Sequence, residues 1–376
     1  MKKKNLFKVY EVNLGKLEKK YVKKCLDTSW IGQGEFVKKF ENKFSKFVNC
    51  KYGVTTTSGT TALHTACKVA GIKKGDEVIV SSSTNMATAF SIIYCGATPI
   101  PIDIDPETWQ MDVRLIEKKI NKRTVAIMPV HLFGQPVDMD PIKIIAKRYK
   151  LKILEDCAEA HGVTYKNKVV GSFSDLSAFS FFSNKSITCG EGGMVCTNNF
   201  KYFVKANSMK NLFYGKKNRF MHEDIGYNYR MPNISAAIGL GQLENFKKIV
   251  IEKDRIYKRY KENLENTKYF KIPKIRDFTT KFVMWVFNIE LDDKHCNIDL
   301  NTLQNRLYKK GIETRPAFVP INEQKALIKI FPQQIIKNSC PNASKLMKRG
   351  FYLPSGNNLK NREIDYICEK LISSCR

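Results

Sequence analysis

The sequence lacks the features that mark membrane, fibrous or disordered proteins. It has no uninterrupted run of about 18 apolar residues, so we expect no membrane-spanning helix. The lysines near its N-terminus are followed by no apolar run, so we expect no signal peptide. Low-complexity segments and solenoid repeats are also missing. With 376 residues, 43% of them hydrophobic, the chain can instead form a large domain and a smaller one.

Cysteine and histidine occur without any pairing pattern. The 11 cysteines are an odd number and include no C-x-x-C pair, so neither a disulfide framework nor a zinc site is indicated. We expect free, mostly buried thiols and a cytoplasmic, reducing location. The five histidines show no ligand spacing, so no metal site is expected.

Acidic residues are scarce relative to basic ones. The chain has 64 Lys and Arg against 36 Asp and Glu, a formal net charge of +28. This charge indicates either a nucleic-acid surface or a solvated lysine-rich surface with a few groups that attract an anionic small substrate. The lysines are spread over the whole chain, which favours the second interpretation, so we expect no specific nucleic-acid partner.

The first 250 residues alternate short apolar runs with helical patterns. Helical patterns cover Val113–Ile120 and Pro141–Tyr149, and the alternation predicts a mostly parallel α/β sheet. The candidate strands are Tyr52–Thr56, Glu77–Val80, Thr98–Ile102, Val125–Val130, Lys152–Leu154, Ser177–Phe181 and Gly193–Thr197.

The pattern changes after Pro232. Asn233 is the predicted N-cap of a long helix that runs to about Leu264. We interpret this helix as the connector between a large α/β domain, residues 1–250, and a small α+β domain, residues 251–376. The later elements are a strand at Val283–Leu291 and helices at Leu300–Lys310 and near Glu363–Ser373.

Three short stretches carry chemistry. Asp156 and Glu159 follow a buried strand, at the carboxyl edge where open α/β sheets bind ligands. Lys185 follows another buried strand, where desolvation lowers the pKa of an amine as imine chemistry requires. Residues 58–61 open a helix whose backbone N–H groups can bind phosphate. Each stretch alone also has a structural explanation: a capped turn, a solvated lysine, or a helix cap.

The three stretches together fit pyridoxal 5′-phosphate (PLP). This coenzyme needs an anion site, a carboxylate at its pyridine nitrogen and a lysine for a Schiff base. The surrounding sequence resembles the DegT/DnrJ/EryC/StrS family of sugar aminotransferases from about Trp30 to Leu371. The resemblance rests on the strings SGTTALH, EDCAEAHG, FSFFSNKSITCGEGGMV and GYNYRMPNISAAIGLGQLE.

The resemblance implies a fold and a reaction. The fold is PLP fold type I, with a mostly parallel seven-stranded sheet in the large domain and a smaller C-terminal α+β domain. The reaction is transamination through PLP and its amino form, pyridoxamine phosphate. L-Glutamate would be the donor, 2-oxoglutarate the by-product and a nucleotide sugar the acceptor.

The resemblance also implies how the coenzyme is held. Lys185 stands where the family forms its Schiff base with PLP. Asp156 stands where a carboxylate pairs with the pyridine nitrogen, and Glu159 where a side chain approaches the phenolic oxygen. Asn85 stands where relatives usually place an aromatic ring that stacks on PLP, so another side chain must cover that face. We expect Trp285 to be core or pocket wall.

Further matched positions concern the phosphate groups and the partner subunit. The phosphate-contacting positions of the family are matched by Gly59, Thr60 and Ser180. Asn228 matches an asparagine that reaches the phosphate of the neighbouring subunit, which implies a homodimer with shared active sites. The candidate substrate contacts, including basic groups for the diphosphate, are Trp30, Arg219 and Arg315.

Several functions remain open at this stage. The favoured one is 4-amination of UDP- or dTDP-4-keto-6-deoxyglucose to a viosamine nucleotide. Perosamine formation from GDP-4-keto-6-deoxymannose and a 3-aminotransferase of the same family are alternatives. A PLP-dependent sugar dehydratase is disfavoured because such relatives carry His in place of Lys185. A non-catalytic nucleic-acid binder is disfavoured by the intact set of Asp156, Glu159 and Lys185.

Overall fold

The computed structural model describes residues 6–215 and 217–375. The helices are α1 Lys16–Asp27, α2 Glu35–Phe47, α3 Gly59–Ala70, α4 Met86–Ile93, α5 Met139–Tyr149, α6 Phe200–Lys210, α7 Asn233–Glu244, α8 Phe246–Leu264, α9 Leu300–Lys309, α10 Lys325–Ile330, α11 Pro341–Arg349 and α12 Asn361–Cys375. The strands are β1 Tyr52–Thr56, β2 Glu77–Ser81, β3 Thr98–Ile102, β4 Thr124–Met128, β5 Lys152–Asp156, β6 Thr164–Tyr165, β7 Lys168–Val169, β8 Leu176–Ser180, β9 Gly193–Thr197, β10 Phe270–Lys271, β11 Thr279–Lys281, β12 Phe287–Leu291, β13 Arg315–Pro316 and β14 Gly350–Leu353.

The largest sheet of the described chain has seven strands in the order β1-β9-β8-β5-β4-β2-β3. The neighbouring pairs from β8 to β3 are parallel, and β9 runs antiparallel to both β1 and β8. Both faces are covered: in β2, Ile79 packs into one hydrophobic cluster, while Val78 and Val80 pack into another. Burial on two faces explains the continuous apolar runs of these strands. The predicted α/β fold with a mostly parallel sheet is confirmed.

The carboxyl ends of four strands lie at one edge of this sheet. β1 ends at Thr56, β2 at Ser81, β5 at Asp156 and β8 at Ser180. β1 points the same way as β8, because both run antiparallel to β9. The loops that follow these strands carry the three chemical stretches, so the topology gathers them at one place.

A second sheet lies in the C-terminal part of the chain. Its order is β10-β12-β14-β13, with every neighbouring pair antiparallel. Helices α8, α9 and α12 build a separate hydrophobic cluster around it. The boundary at residue 250 stays a prediction. None of the helices in the described part of the chain is both long and apolar enough to cross a membrane.

The long connector helix was predicted wrongly in two respects. It consists of two helices, α7 and α8, which are interrupted at Asn245. Its N-cap is Pro232, and Asn233 is the first helical residue. The Asn233 side chain is buried, accepts from the Phe36 N–H at 2.9 Å and donates to the Trp30 carbonyl at 2.8 Å. Asn233 therefore does not cap its own helix: its side chain accepts from the first turn of α2 and ties α2 and the loop before it to α7.

Two further segments differ from the sequence prediction. Val113–Leu115 and Glu117–Lys119 form two short 3₁₀ turns where a helix was expected. The chain leaves helical geometry at Ile120, whose ψ is 131°. β12 begins at Phe287 and not at Val283, because residues 283–286 lie outside the sheet. Val283, Trp285 and Val286 pack into the clusters of the large sheet, and Met284 packs into the C-terminal cluster.

Candidate active site

A cavity of about 350 Å³ opens at the carboxyl edge of the large sheet. Its wall is formed by the loops after β1, β2, β5 and β8 and by residues from the C-terminal part of the chain. The structure brings these sequence-predicted residues to that wall: Gly59, Thr60, Asn85, Asp156, Glu159, Ser180 and Lys185.

Asp156 lies at the end of β5 and is almost completely buried. Its Oδ2 accepts from Thr88 Oγ1 at 2.8 Å, and its Oδ1 accepts from the Ala158 N–H at 3.1 Å. Burial raises the pKa of the Asp156 carboxyl, against these two donors and the nearby Lys185. A carboxylate held in this way is stabilised by a further positive charge, such as a protonated ring nitrogen in the cavity.

Lys185 is the basic group of the cavity. Its Nζ lies 3.4 Å from Glu159 Oε1 and 3.9 Å from the centroid of the Trp285 ring. Burial lowers the pKa of the Lys185 amine, although the Glu159 and Asp156 carboxylates oppose this shift. Burial also raises the pKa of Glu159, whose other oxygen accepts from the Phe133 N–H at 3.1 Å. Burial therefore shifts the amine towards its neutral form, the form that reacts with a carbonyl.

The N-terminus of α3 supplies an anion site. Ser58 and Thr61 close a capping box, in which Ser58 Oγ accepts from the Thr61 N–H at 3.2 Å. In the described chain, the N–H groups of Gly59 and Thr60 have no protein acceptor and are available to a phosphate. A Cβ on Gly59 would lie 2.6 Å from the Cβ of Ser180, so glycine lets β8 approach the helix start.

Aromatic side chains from the C-terminal part close the cavity. The rings of Trp285 and Phe318 line it and are parallel within 8°, and Phe133 is parallel to both. Trp285 is therefore pocket wall, one of the two locations expected for it. Asn85 caps α4 by accepting from the Ala87 N–H at 3.0 Å and lines the cavity as an exposed residue.

The other predicted residues lie outside the cavity of their own chain. Asn228 and Arg219 are exposed, and Arg219 packs against Tyr214. Trp30 is 63% exposed and donates from Nε1 to the Gln33 carbonyl at 2.5 Å. Arg315 is paired with Glu313 at 2.6 Å in β13. Its backbone partner, Tyr352, lines the cavity, so Arg315 lies close to the mouth.

Sequence reasoning missed Thr88, which donates to Asp156. It stands seven residues beyond the end of β2, and the hydroxyl-rich stretch at residues 81–84 is the signal that could have pointed to it. Thr84 Oγ1 lies 2.7 Å from Thr88 Oγ1, so the two hydroxyls and the carboxylate form one buried chain. Such a chain holds the carboxylate in a fixed orientation.

A buried trio near the site has the geometry of metal ligands. In the described chain, ligand atoms of His131, Glu155 and Cys157 all lie within 4.8 Å of one another. Both ring nitrogens of His131 already have protein partners, Glu155 Oε1 at 3.1 Å and the Val137 N–H at 3.1 Å. These bonds explain the trio without an ion, and the absence of a metal site stays a prediction.

Comparison with known proteins agrees with this geometry. The model of the DegT/DnrJ/EryC1/StrS aminotransferase family matches residues 12–372. A GDP-perosamine synthase of Escherichia coli O157:H7 is 42% identical over 364 residues, 96% of this chain and 97% of that protein. A GDP-perosamine synthase of Vibrio cholerae is 36% identical, with 96% of each chain covered.

A solved structure extends the likeness to three dimensions. PseC of Helicobacter pylori, an aminotransferase involved in the biosynthesis of pseudoaminic acid, matches with a TM-score of 0.91 at 26% identity over 99% of both chains. Its fold is the one described above, and the buried lysine and carboxylates lie at the edge where this fold binds ligands. The chain therefore belongs to the DegT/DnrJ/EryC1/StrS aminotransferase family and is a PLP-dependent sugar aminotransferase.

Proposed function

We propose that this aminotransferase converts GDP-4-keto-6-deoxymannose to GDP-perosamine, with L-glutamate as the amino donor and 2-oxoglutarate as the by-product. The support is the name shared by two relatives that are 42% and 36% identical along nearly the whole chain. This proposal reverses the order of preference drawn from sequence, which placed UDP- or dTDP-linked 4-keto-6-deoxyglucose and a viosamine product first.

The cavity residues are proposed to hold the coenzyme. The N–H groups of Gly59 and Thr60, with the hydroxyl of Ser180, would bind its phosphate. Asp156, fixed by its two donors, would pair with the ring nitrogen and keep it protonated. Glu159 would approach the phenolic oxygen. When bound, the coenzyme supplies an electron sink that stabilises negative charge at the carbon losing its proton.

Lys185 is proposed to bond the coenzyme at rest and to carry the proton during turnover. Its amine lies between Glu159 and Trp285, and its side chain is only 11% exposed. Burial lowers the pKa of the Lys185 amine and so favours its neutral form, which can accept a proton from the donor's α-carbon. The same amine would deliver a proton to the coenzyme in the first half of the cycle and, in the second half, move a proton from the coenzyme to carbon 4 of the sugar.

Asn85 does not offer a stacking ring, so we propose that other groups cover the coenzyme. Asn85 lines the cavity with its short polar side chain. Trp285, Phe318 and Phe182 also line it and are the aromatic groups available to exclude water from the reacting atoms.

The active unit is proposed to be a homodimer. Asn228 is exposed and lies outside the cavity of its own chain, as expected if it serves a partner's site. Two apolar side chains of the same loop, Phe220 and Ile225, are 80% and 82% exposed, which is typical of a surface that a partner covers. Trp30 and Arg219 would then reach the nucleotide of a site built from both chains, and Arg315 would lie at its mouth.

The cellular location of the enzyme is proposed from its free thiols. All 11 cysteines are free in the described chain, and ten of them are buried. Free thiols persist in reducing compartments, so we propose a cytoplasmic enzyme.

The test is a substrate panel. The purified holoenzyme is incubated with L-glutamate and, in separate reactions, GDP-4-keto-6-deoxymannose, dTDP-4-keto-6-deoxyglucose and UDP-4-keto-6-deoxyglucose. Each product is identified by mass spectrometry and NMR. We expect the GDP sugar to give the highest kcat/KM and a 4-amino product. Preference for a uridine or thymidine sugar, or a 3-amino product, contradicts the proposal.

A further inference from the structure

A second buried lysine lies behind the active site. Lys253, in the first half of α8, is 6% exposed. Its Nζ donates to the carbonyls of Trp285 and Ser355, both at 2.8 Å. In the described chain it forms no ion pair, and burial alone lowers its pKa to about 7. Burying an amine without a neighbouring carboxylate costs free energy of folding. Among the described residues, only the hydrogen bonds to the two carbonyls compensate for this cost, so we look to these carbonyls for the role of Lys253.

One of these partners connects Lys253 to the active site. The indole of Trp285 lies over Lys185, with its centroid 3.9 Å from Lys185 Nζ. Its Nε1 donates to the carbonyl of Asn184, the residue before Lys185, at 2.8 Å. Trp285 is thus held at two points: Lys253 holds its backbone, and Asn184 holds its ring.

Lys253 does not itself line the substrate cavity. It lines a separate cavity of about 30 Å³ together with Lys185, Asn184 and Trp285. That space admits a water molecule and excludes a sugar nucleotide. Lys253 therefore does not touch a substrate in the larger cavity, and its Nζ hydrogen bonds run to Trp285 and Ser355.

We propose that Lys253 is a positioning residue: by fixing the backbone of Trp285 from behind, it keeps the indole against the amine of Lys185. This proposal rests on the proposed role of Lys185. The indole covers the amine on one side and limits where its nitrogen can lie. Without the hydrogen bonds from Lys253, residues 283–286 lose an anchor and the indole shifts. The protonation of the Lys185 nitrogen then changes, and its reach to the reacting carbon becomes less precise.

The test compares Lys253→Met with a matched control, Tyr260→Phe, in the holoenzyme. Tyr260 lies on the same helix and donates to the Pro354 carbonyl at 2.8 Å, so the control loses a buried bond to the chain next to Ser355 but leaves Trp285 held. The readouts are kcat and KM for the donor, the melting temperature, and the pH midpoint of the absorbance change of the bound coenzyme.

We expect Lys253→Met to lower kcat on the order of 10- to 100-fold, the effect of a small misplacement of a reacting group, with little change in KM. The pH midpoint of the coenzyme absorbance should shift. Tyr260→Phe should lower the melting temperature and leave the pH midpoint unchanged. The double variant Lys253→Met/Trp285→Phe should be no slower than Trp285→Phe alone, because both changes act on one contact.

An unchanged kcat and pH midpoint in Lys253→Met would overturn the proposal, and so would additive losses in the double variant. If Lys253→Met does not fold, Lys253→Leu, which also lacks N–H donors, is measured in the same way under the same criteria. The absorbance readout needs no nucleotide sugar. A shifted midpoint with no sugar aminated therefore supports the positioning role while the proposed substrate fails.

Discussion

Replacing Thr88 with valine removes one oxygen atom from the support of Asp156 and keeps the shape of the side chain. Thr88 Oγ1 donates to Asp156 Oδ2 at 2.8 Å in a fully buried position. A hydrogen bond to a charged group contributes about 1.5–3 kcal/mol, which corresponds to a factor of about 10 to 150. We expect the coenzyme to bind more weakly by about that factor in Thr88→Val, because a carboxylate with one donor fewer pairs less well with a cationic ring nitrogen.

The assay is spectroscopic titration of coenzyme into the stripped protein, with kcat measured at saturating coenzyme. Thr88→Ser retains the hydroxyl and should bind like the wild type. Thr65→Val is the matched control, because Thr65 is a buried threonine whose hydroxyl has no partner in the described chain. Wild-type coenzyme affinity and kcat in Thr88→Val would refute the role assigned to this bond.

The remaining predictions concern the two lysines and the partner subunit. Lys185→Ala should fold and retain coenzyme through its phosphate but lose turnover, and wild-type turnover would contradict the assignment. The acidic limb of the kcat profile should have its midpoint below the ordinary lysine pKa, because burial lowers the pKa of Lys185, which acts when neutral. Asn228→Ala should release coenzyme faster, and full activity in a species shown by light scattering to be monomeric would exclude shared sites. Between pH 7 and about 10 the unfolded chain binds more protons at Lys253 than the folded one, so the melting temperature should rise with pH, and rise less in Lys253→Met.

The parts of the fold that sequence predicted are those with local signals. Every strand predicted in the first 200 residues is present, and its observed bounds differ from the predicted ones by at most two residues. Strands that are buried on both faces consist of continuous apolar runs, which the sequence shows directly. Asp156 ends one such strand and Lys185 lies in the loop after another, so the strand ends alone pointed to one edge of the sheet. The connector helix was misjudged because the apolar spacing continues across Asn245, where the chain breaks.

The parts that sequence missed depend on contacts between distant segments. Lys253 is 32 residues from Trp285 and 102 from Ser355, and no spacing rule joins them. Asn233 looked like a helix cap because its side chain suits that role, yet its partners lie about 200 residues earlier. Thr88 donates across 68 residues to Asp156. Such polar contacts are set by the packing of whole elements, which local patterns do not record.

The most direct test of the account is to find which lysine carries the coenzyme. The holoenzyme is reduced with sodium borohydride, digested, and analysed by peptide mass spectrometry, with Lys185→Arg treated in parallel. We expect the coenzyme mass to be recovered on the peptide that contains Lys185 and to be absent from the variant. Recovery on a peptide with a different lysine, or equal labelling of the variant, would contradict the assignment of this cavity as the active site.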